Sequence, residues 1–226
     1  WSLLVFNAET GQLRASLADA YLRAVLPAQN GKPALVLAEV MEAGQRQAPA
    51  FGTLLVLRLT SQGLQEVGRI EHASLALAAR PARPDLNTMS DVVHLLRSDA
   101  DADGYPEVLL SLEGEQALVA AGLALYDPSV SPPASRASYT IPQNESLSPL
   151  FDGVSTKSEG QRQLALFSSA GYVELFNGQS LAKEAALRAG SFSSSSLVAD
   201  LDNDGYAEVL VTDSRNELCV LETKQA

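Results

Sequence analysis

The residues best able to do chemistry lie in two short acidic runs, Asp99-Ala-Asp-Ala-Asp-Gly-Tyr-Pro-Glu-Val-Leu-Leu and Asp200-Leu-Asp-Asn-Asp-Gly-Tyr-Ala-Glu-Val-Leu-Val. In each, carboxylates stand at positions 1, 3 and 5, Gly at 6, Tyr at 7 and Glu at 9, and an apolar run of strand character follows. Calcium is a hard cation that takes about six to eight oxygen ligands at about 2.3–2.6 Å, so a short loop must aim several oxygens at one point. Alternate carboxylates can converge, the Gly permits a sharp turn, and position 7 can offer its backbone carbonyl. The spacing therefore predicts two Ca2+ sites. The first would use the side chains of Asp99, Asp101, Asp103 and Glu107 with the Tyr105 carbonyl; the second would use Asp200, Asp202, Asp204 and Glu208 with Tyr206. A single Asp/Asn/Gly cluster is ordinarily just a polar turn. Two copies that agree at all three Asp, the Gly, the Tyr, the Glu and the following Val-Leu argue against coincidence.

An EF-hand opens with the same acidic spacing but needs a bidentate Glu at position 12, where this chain has Leu110 and Val211. It also needs flanking helices, whereas Glu-Val-Leu-Leu-Ser-Leu and Glu-Val-Leu-Val-Thr-Asp read as strands. The loops are better read as calcium loops that lead into β-strands.

Composition narrows the partners. The 226 residues carry a formal charge of −11, with a sequence pI near 4.6, which argues against a nucleic-acid partner because a polyanion would be repelled. Eight of the 27 acidic residues belong to the two loops, so bound calcium would offset part of the excess. No run approaches the roughly 18 apolar residues of a membrane span, and no signal peptide opens the chain. The start at Trp1 points to processing or to a piece of something longer. Cys219 is the only cysteine, which rules out an intrachain disulfide; within Glu-Leu-Cys-Val-Leu-Glu it reads as a small buried hydrophobe. Sites of this calcium class fill most readily outside the cytosol, where calcium is millimolar.

The strand after each loop glycine serves as a ruler for internal repeats. Gly31-Lys-Pro-Ala-Leu-Val-Leu, Gly104-Tyr-Pro-Glu-Val-Leu-Leu, Gly160-Gln-Arg-Gln-Leu-Ala-Leu and Gly205-Tyr-Ala-Glu-Val-Leu-Val align at spacings of 73, 56 and 45 residues, around the period of propeller blades. An innermost strand precedes each, at 21–26, 92–96, 148–154 and 194–199. A third strand follows, at 53–59, 117–126, 172–176 and 218–221, and a more polar fourth follows three of them, at 64–70, 137–141 and 181–187. The last, Leu181-Ala-Lys-Glu-Ala-Ala-Leu-Arg, has equally strong helix propensity and is assigned to a strand by its place in the repeat. Residues 2–17 read as a third and fourth strand joined at Glu9-Thr-Gly. The expected architecture is all-β: a single domain over 1–226, built as a β-propeller of four-stranded antiparallel blades at roughly 18–71, 72–142, 143–188 and 189–226, with 1–17 completing the last or belonging to a larger ring. Residues 43–52, 79–90 and 127–144 read as loops.

The two motifs resemble the FG-GAP/VCBS repeat, the calcium-loop blade of integrin-α-like β-propellers, whose consensus D-x-[DN]-x-D-G-x-x-[DE] is met at every ligand by 99–107 and 200–208. Phe-Asn-Ala-Glu-Thr-Gly-Gln-Leu is similar to an outer blade turn of that family. The repeats at Gly31 and Gly160 depart from it: positions 1, 3 and 5 are Leu26, Ala28 and Asn30 in one, and Ser155, Lys157 and Glu159 in the other, so neither should bind calcium. The resemblance implies an extracellular, periplasmic or cell-surface module that binds a protein or glycan ligand, with calcium serving structure rather than catalysis. Two alternatives accompany this reading: a structural or docking propeller within a larger secreted or surface assembly that carries further blades or domains, and a calcium-assisted enzyme acting on polysaccharides. Against the enzyme, the only histidines, His72 and His94, sit in no nucleophile–base pattern, and no Gly-x-Ser-x-Gly, His-Glu-x-x-His or phosphate loop occurs. Asn144-Glu-Ser matches the N-glycosylation acceptor, which would matter only in a eukaryotic secreted protein.

Overall fold

The computed structural model describes residues 2–26, 31–40, 51–75, 103–115, 120–154, 162–188, 190, 197–204, 206, 208–213 and 215–222. They form sixteen antiparallel strands and no helix. No helix among them is long and apolar enough to cross a membrane.

The chain opens with a hairpin, β1 (Ser2–Phe6) and β2 (Leu13–Ala18). Next come β3 (Ala20–Leu26), β4 (Leu35–Val40), β5 (Gly52–Thr60) and β6 (Gly63–Leu75), then β7 (Val108–Glu113), β8 (Ala120–Asp127) and β9 (Ala134–Thr140). A third group is β10 (Leu147–Val154), β11 (Arg162–Ser168), β12 (Tyr172–Asn177) and β13 (Lys183–Arg188), and the last is β14 (Leu197–Ala199), β15 (Glu208–Thr212) and β16 (Leu218–Glu222). Within each group every strand pairs with its sequence neighbour. Of residues 181–188, for which helix propensity competed, Lys183–Arg188 fold as the edge strand β13 beside β12, and Leu181 closes the turn before it.

What stacks these groups is the chemistry of their central strands. Side chains alternate between the two faces of a strand, so one that is apolar at every position must be covered on both faces. In β4, Val36 and Ala38 pack with Leu55 and Leu57 of β5 against Leu3 of the hairpin. Leu35 and Leu37, with Leu54 and Val56, face the other way onto Val108 and Leu110 of β7. The opposite face of that second sheet, Leu109, Leu123 and Leu125, packs on Leu164, Leu166 and Phe176. Ala165, Val173 and Leu175 then meet Val209 and Val211 of β15. The outer strands β2, β9 and β13 alternate between exposed and half-buried, as their polar sequences require.

Single left-handed residues carry the chain from one sheet to the next. His72 (φ 53°) lies in β6, whose first part pairs with β5 and whose end, Ala73–Leu75, pairs with Leu110–Leu112 of β7. The ladder from β3 to β9 is therefore continuous. Asp19 (φ 53°) makes the corresponding bend between β2 and β3. The expected innermost strand at 92–96 lies outside the described residues, and the place beside Leu110–Leu112 is taken by Ala73–Leu75 instead.

The hairpin turns repeat as well. Asn7 accepts hydrogen bonds through Oδ1 from the amides of Glu9 and Thr10, and its carbonyl accepts from Gly11. Asn177 does the same for Gln179, Ser180 and Leu181. The β1–β2 hairpin is thus built like the third and fourth strands of the β10–β13 sheet, with Phe6 in the place of Phe176. Phe176 is fully buried against the preceding sheet, whereas Phe6 is 55% exposed. Leu4 and Leu13 beside Phe6, and Leu218 and Val220 at the other end, are exposed too. Among the described residues the row of sheets does not close into a ring. β1 and β2 form their own sheet, and the β14–β16 sheet contains no strand from residues 1–17.

Arg23 and Glu39 form an ion pair inside the first full sheet, 2.6 Å from Nη2 to Oε2, with side chains only 3% and 2% exposed. Breaking a buried pair leaves a charge with no compensation, whereas replacing both partners by apolar groups is often neutral or better. Arg23→Met should lower stability by about 3–5 kcal/mol in urea unfolding, and the double variant Arg23→Met/Glu39→Leu should recover most of that loss.

Candidate metal centre

The second acidic loop joins β14 to β15, and the register that pairs Ala199 with Glu208 brings both ends of the loop together. One carboxylate oxygen each from Asp200, Asp202 and Glu208 lies within 4.8 Å of the others. The loop reaches this shape by bonding its own amides: Asp202 Oδ1 accepts from the Asp204 amide at 3.1 Å, and Asp204 Oδ1 from the Tyr206 amide at 2.9 Å. Glu208 Oε2 accepts from the Leu201 amide at 2.7 Å, which ties position 9 back to position 2. Asn203 occupies the left-handed region at φ 58°, a conformation Asn tolerates better than most residues.

Asp200 and Asp202 are exposed, while Glu208 is 6% exposed. At such separations like charges repel by about 1 kcal/mol per pair in bulk water, and more where one is buried. The donor set is all oxygen and all anionic, which fits a hard divalent cation, with backbone carbonyls and water needed to complete its shell. Of the four carboxylates in the predicted set, three converge. Asp204 braces the turn through the Tyr206 amide and stands outside this group of three carboxylates; Tyr206 lies half-buried beside it.

The first loop is only partly described: Asp99 and Asp101 lie outside the described residues. Asp103 repeats the turn of Asp204, its Oδ1 accepting from the Tyr105 amide at 2.7 Å. Its other surroundings differ. The Lys32 ammonium stands 3.7 Å from Asp103 Oδ2, donates to the Asp103 carbonyl and lies 5.2 Å from the centre of the Tyr105 ring. The Tyr105 ring is buried, and its hydroxyl donates to the Pro33 carbonyl at 2.6 Å. Glu107 is 2% exposed, and its Oε1 is 2.9 Å from Nη1 of Arg136, which also reaches Asp127 at 3.7 Å. Position 9 thus bonds its own loop in the second copy, and in the first it meets an arginine from β9.

Lys32, Ser129 and Arg136 were not singled out by spacing. Lys32 sits in the Gly31 repeat at the position that Tyr105 holds in the next, a weak signal that the alignment contained. Arg136 lies in a Pro/Ser-rich stretch with no period.

The remaining candidates lie apart from these loops. His72 is exposed, with Nδ1 2.7 Å from Glu113 Oε2; His94 lies outside the described residues. Cys219 is half-buried against the last inter-sheet cluster, short of the full burial expected. Asn144 is exposed in a turn closed by the Glu145 amide and the Pro142 carbonyl.

Burial pushes the Asp103 carboxyl up, but hydrogen bonds from Ser129 and the Tyr105 amide, together with the Lys32 charge, outweigh it and hold the group below its ordinary value of 3.8. A lowered folded value adds stability above the unfolded value, and that stability is lost as pH falls through the folded one. In chelator-treated protein, Asp103→Asn should flatten the fall of the urea midpoint below about pH 4. Compared with known proteins, no family model and no curated protein matches this chain.

Proposed function

We propose that this chain is a non-catalytic β-propeller module, or a run of propeller blades, that calcium stabilises and that presents its surface to a protein or glycan ligand outside the cytosol. The observation that carries the reading is the convergence of Asp200, Asp202 and Glu208 at the junction of two strands. Three carboxylates within 4.8 Å are costly to hold without a cation, and they stand where the FG-GAP/VCBS-like loop motif puts its ligands. The succession of antiparallel sheets, each covered by the next, supports blades in particular. An oxygen-only set filled by carboxylates, carbonyls and water suits a structural ion, because saturated coordination leaves no open position for Lewis-acid work.

A second reading is favoured by a separate observation. The apolar faces at Leu4, Phe6 and Leu13 and at Leu218 and Val220 occupy positions that are covered in the interior of the stack. A structural or docking segment of a larger surface assembly would cover them.

Calcium at about 100 times its dissociation constant should stabilise the fold by about 2.7 kcal/mol. That amounts to a melting-temperature rise of about 5–10 °C, reversed by chelator, for a chain of this size. Glu208→Gln keeps an acceptor for the Leu201 amide but removes the charge, and should abolish most of the rise. Identical melting curves with and without chelator would reject the calcium reading. A glycan and cell-surface-protein binding screen, run beside a glycosidase and lyase panel, separates binder from enzyme; turnover without retention would reverse the assignment.

A further inference from the structure

A β-bulge inserts one extra residue into a strand and re-aims its side chain. Between third and fourth strands the register shifts at the same place every time, which leaves Val67 in β6, Arg136 in β9, Glu184 in β13 and Arg14 in β2 as the extra residues. In the three sheets that have a second strand, the bulge residue matches the start of that strand. Leu35 and Val67 belong to one apolar cluster. Arg136 stands between Glu107, at 2.9 Å, and Asp127, at 3.7 Å. Glu184 accepts from Gln163 Nε2 and, at 2.9 Å, from Asn177 Nδ2. Apolar meets apolar, and donor meets acceptor.

The β1–β2 hairpin carries the third and fourth members of this set without the second. By the shared turn and bulge, Arg14 corresponds to Glu184 and Asn7 to Asn177. A guanidinium only donates, and Asn7 Oδ1 already accepts from the Glu9 and Thr10 amides, which leaves Nδ2 to donate. Among the described residues neither donor has an acceptor, and no strand pairs with the other edge of β1. We propose that this edge receives an extended acidic segment of a partner protein, added antiparallel as a further strand, with a carboxylate opposite Asn7 that accepts from Asn7 Nδ2 and from Arg14. This deepens the docking reading, on which it rests, and does not depend on calcium.

The pairing of β11 with β12 supplies the rest of the pattern. Gln163 lies opposite Asn177, Leu164 opposite Phe176, Ala165 opposite Leu175 and Leu166 opposite Glu174. Carried over to β1, the carboxylate is followed by three apolar residues opposite Phe6, Val5 and Leu4. Glu107-Val108-Leu109-Leu110 of β7 has that order. In strand addition the main-chain bonds supply affinity and the alternate side chains supply specificity. Leu4 and Phe6, about half exposed beside the edge, would lose contact with water as the segment docked. The chain's formal charge of −11 does not forbid an acidic partner, because exposed charges are largely screened beyond about 8 Å at physiological salt and the local donors decide.

Fluorescence anisotropy of a labelled peptide with the sequence of residues 104–113, Gly-Tyr-Pro-Glu-Val-Leu-Leu-Ser-Leu-Glu, titrated with the whole chain, tests this. The peptide should bind saturably, and its Glu107→Gln form should bind at least about tenfold more weakly. The exposed Arg14→Gln variant should bind the two peptides alike. An Arg14→Glu variant should prefer a Glu107→Arg peptide over the original by at least about fivefold. Equal binding of the Glu and Gln peptides by the wild-type chain would overturn the proposal and leave the docking reading standing, as would a preference for Glu that survives Arg14→Gln. No saturable binding of any of these peptides would overturn the proposal together with the docking reading at this edge.

Discussion

The structure depends on a covering constraint: a sheet whose central strands are apolar on both faces cannot be left with one face in water. β4, β5, β7 and β11 each present leucine, valine or alanine to both sides, so each sheet needs a neighbour on either side. Fully burying one such side chain contributes about 1.5–3 kcal/mol, and every interface repeats the gain several times. Chain order then follows from economy of connection. A fourth strand that ends beside the next sheet needs only one left-handed residue, Asp19 or His72, to become the next sheet's first strand.

This arrangement puts the polar chemistry at the strand ends, because the faces between sheets admit few charges. Three such pairs stand among the described residues: Arg23 with Glu39, Lys183 with Glu174, and Arg136 with Glu107. The loops between first and second strands escape the constraint and can collect carboxylates. Converging like charges are eased by a nearby cation: in the first loop Lys32 stands 3.7 Å from Asp103 and Arg136 2.9 Å from Glu107, and the second loop brings one oxygen each of Asp200, Asp202 and Glu208 within 4.8 Å.

Much of this was legible in the sequence, for physical reasons. Continuous apolar runs after Gly31, Gly104, Gly160 and Gly205 mark strands buried on both faces, and these became β4, β7, β11 and β15. The polar fourth strands followed from alternation, and 183–188 became a strand because pairing with β12 outweighed local helix propensity. Ala73–Leu75 was missed because the break before it is a histidine in a left-handed conformation, with no glycine or proline to announce it. The second copy of the Asn7 turn, at Asn177, was visible as Phe-Asn followed by Thr or Ser three residues later, but one of its left-handed positions is Gly11 and the other Leu181. Lys32 could not be read as the partner of Asp103, since the two are 71 residues apart and only the packing of one sheet on the next brings them together.

The claim on which the account turns is that Asp200, Asp202 and Glu208 share one cation. Anomalous diffraction from crystals grown in calcium addresses it directly. The account predicts a calcium peak about 2.3–2.6 Å from an oxygen of each of these three side chains. A map without such a peak at saturating calcium, with the three carboxylates turned apart into solvent, would contradict it.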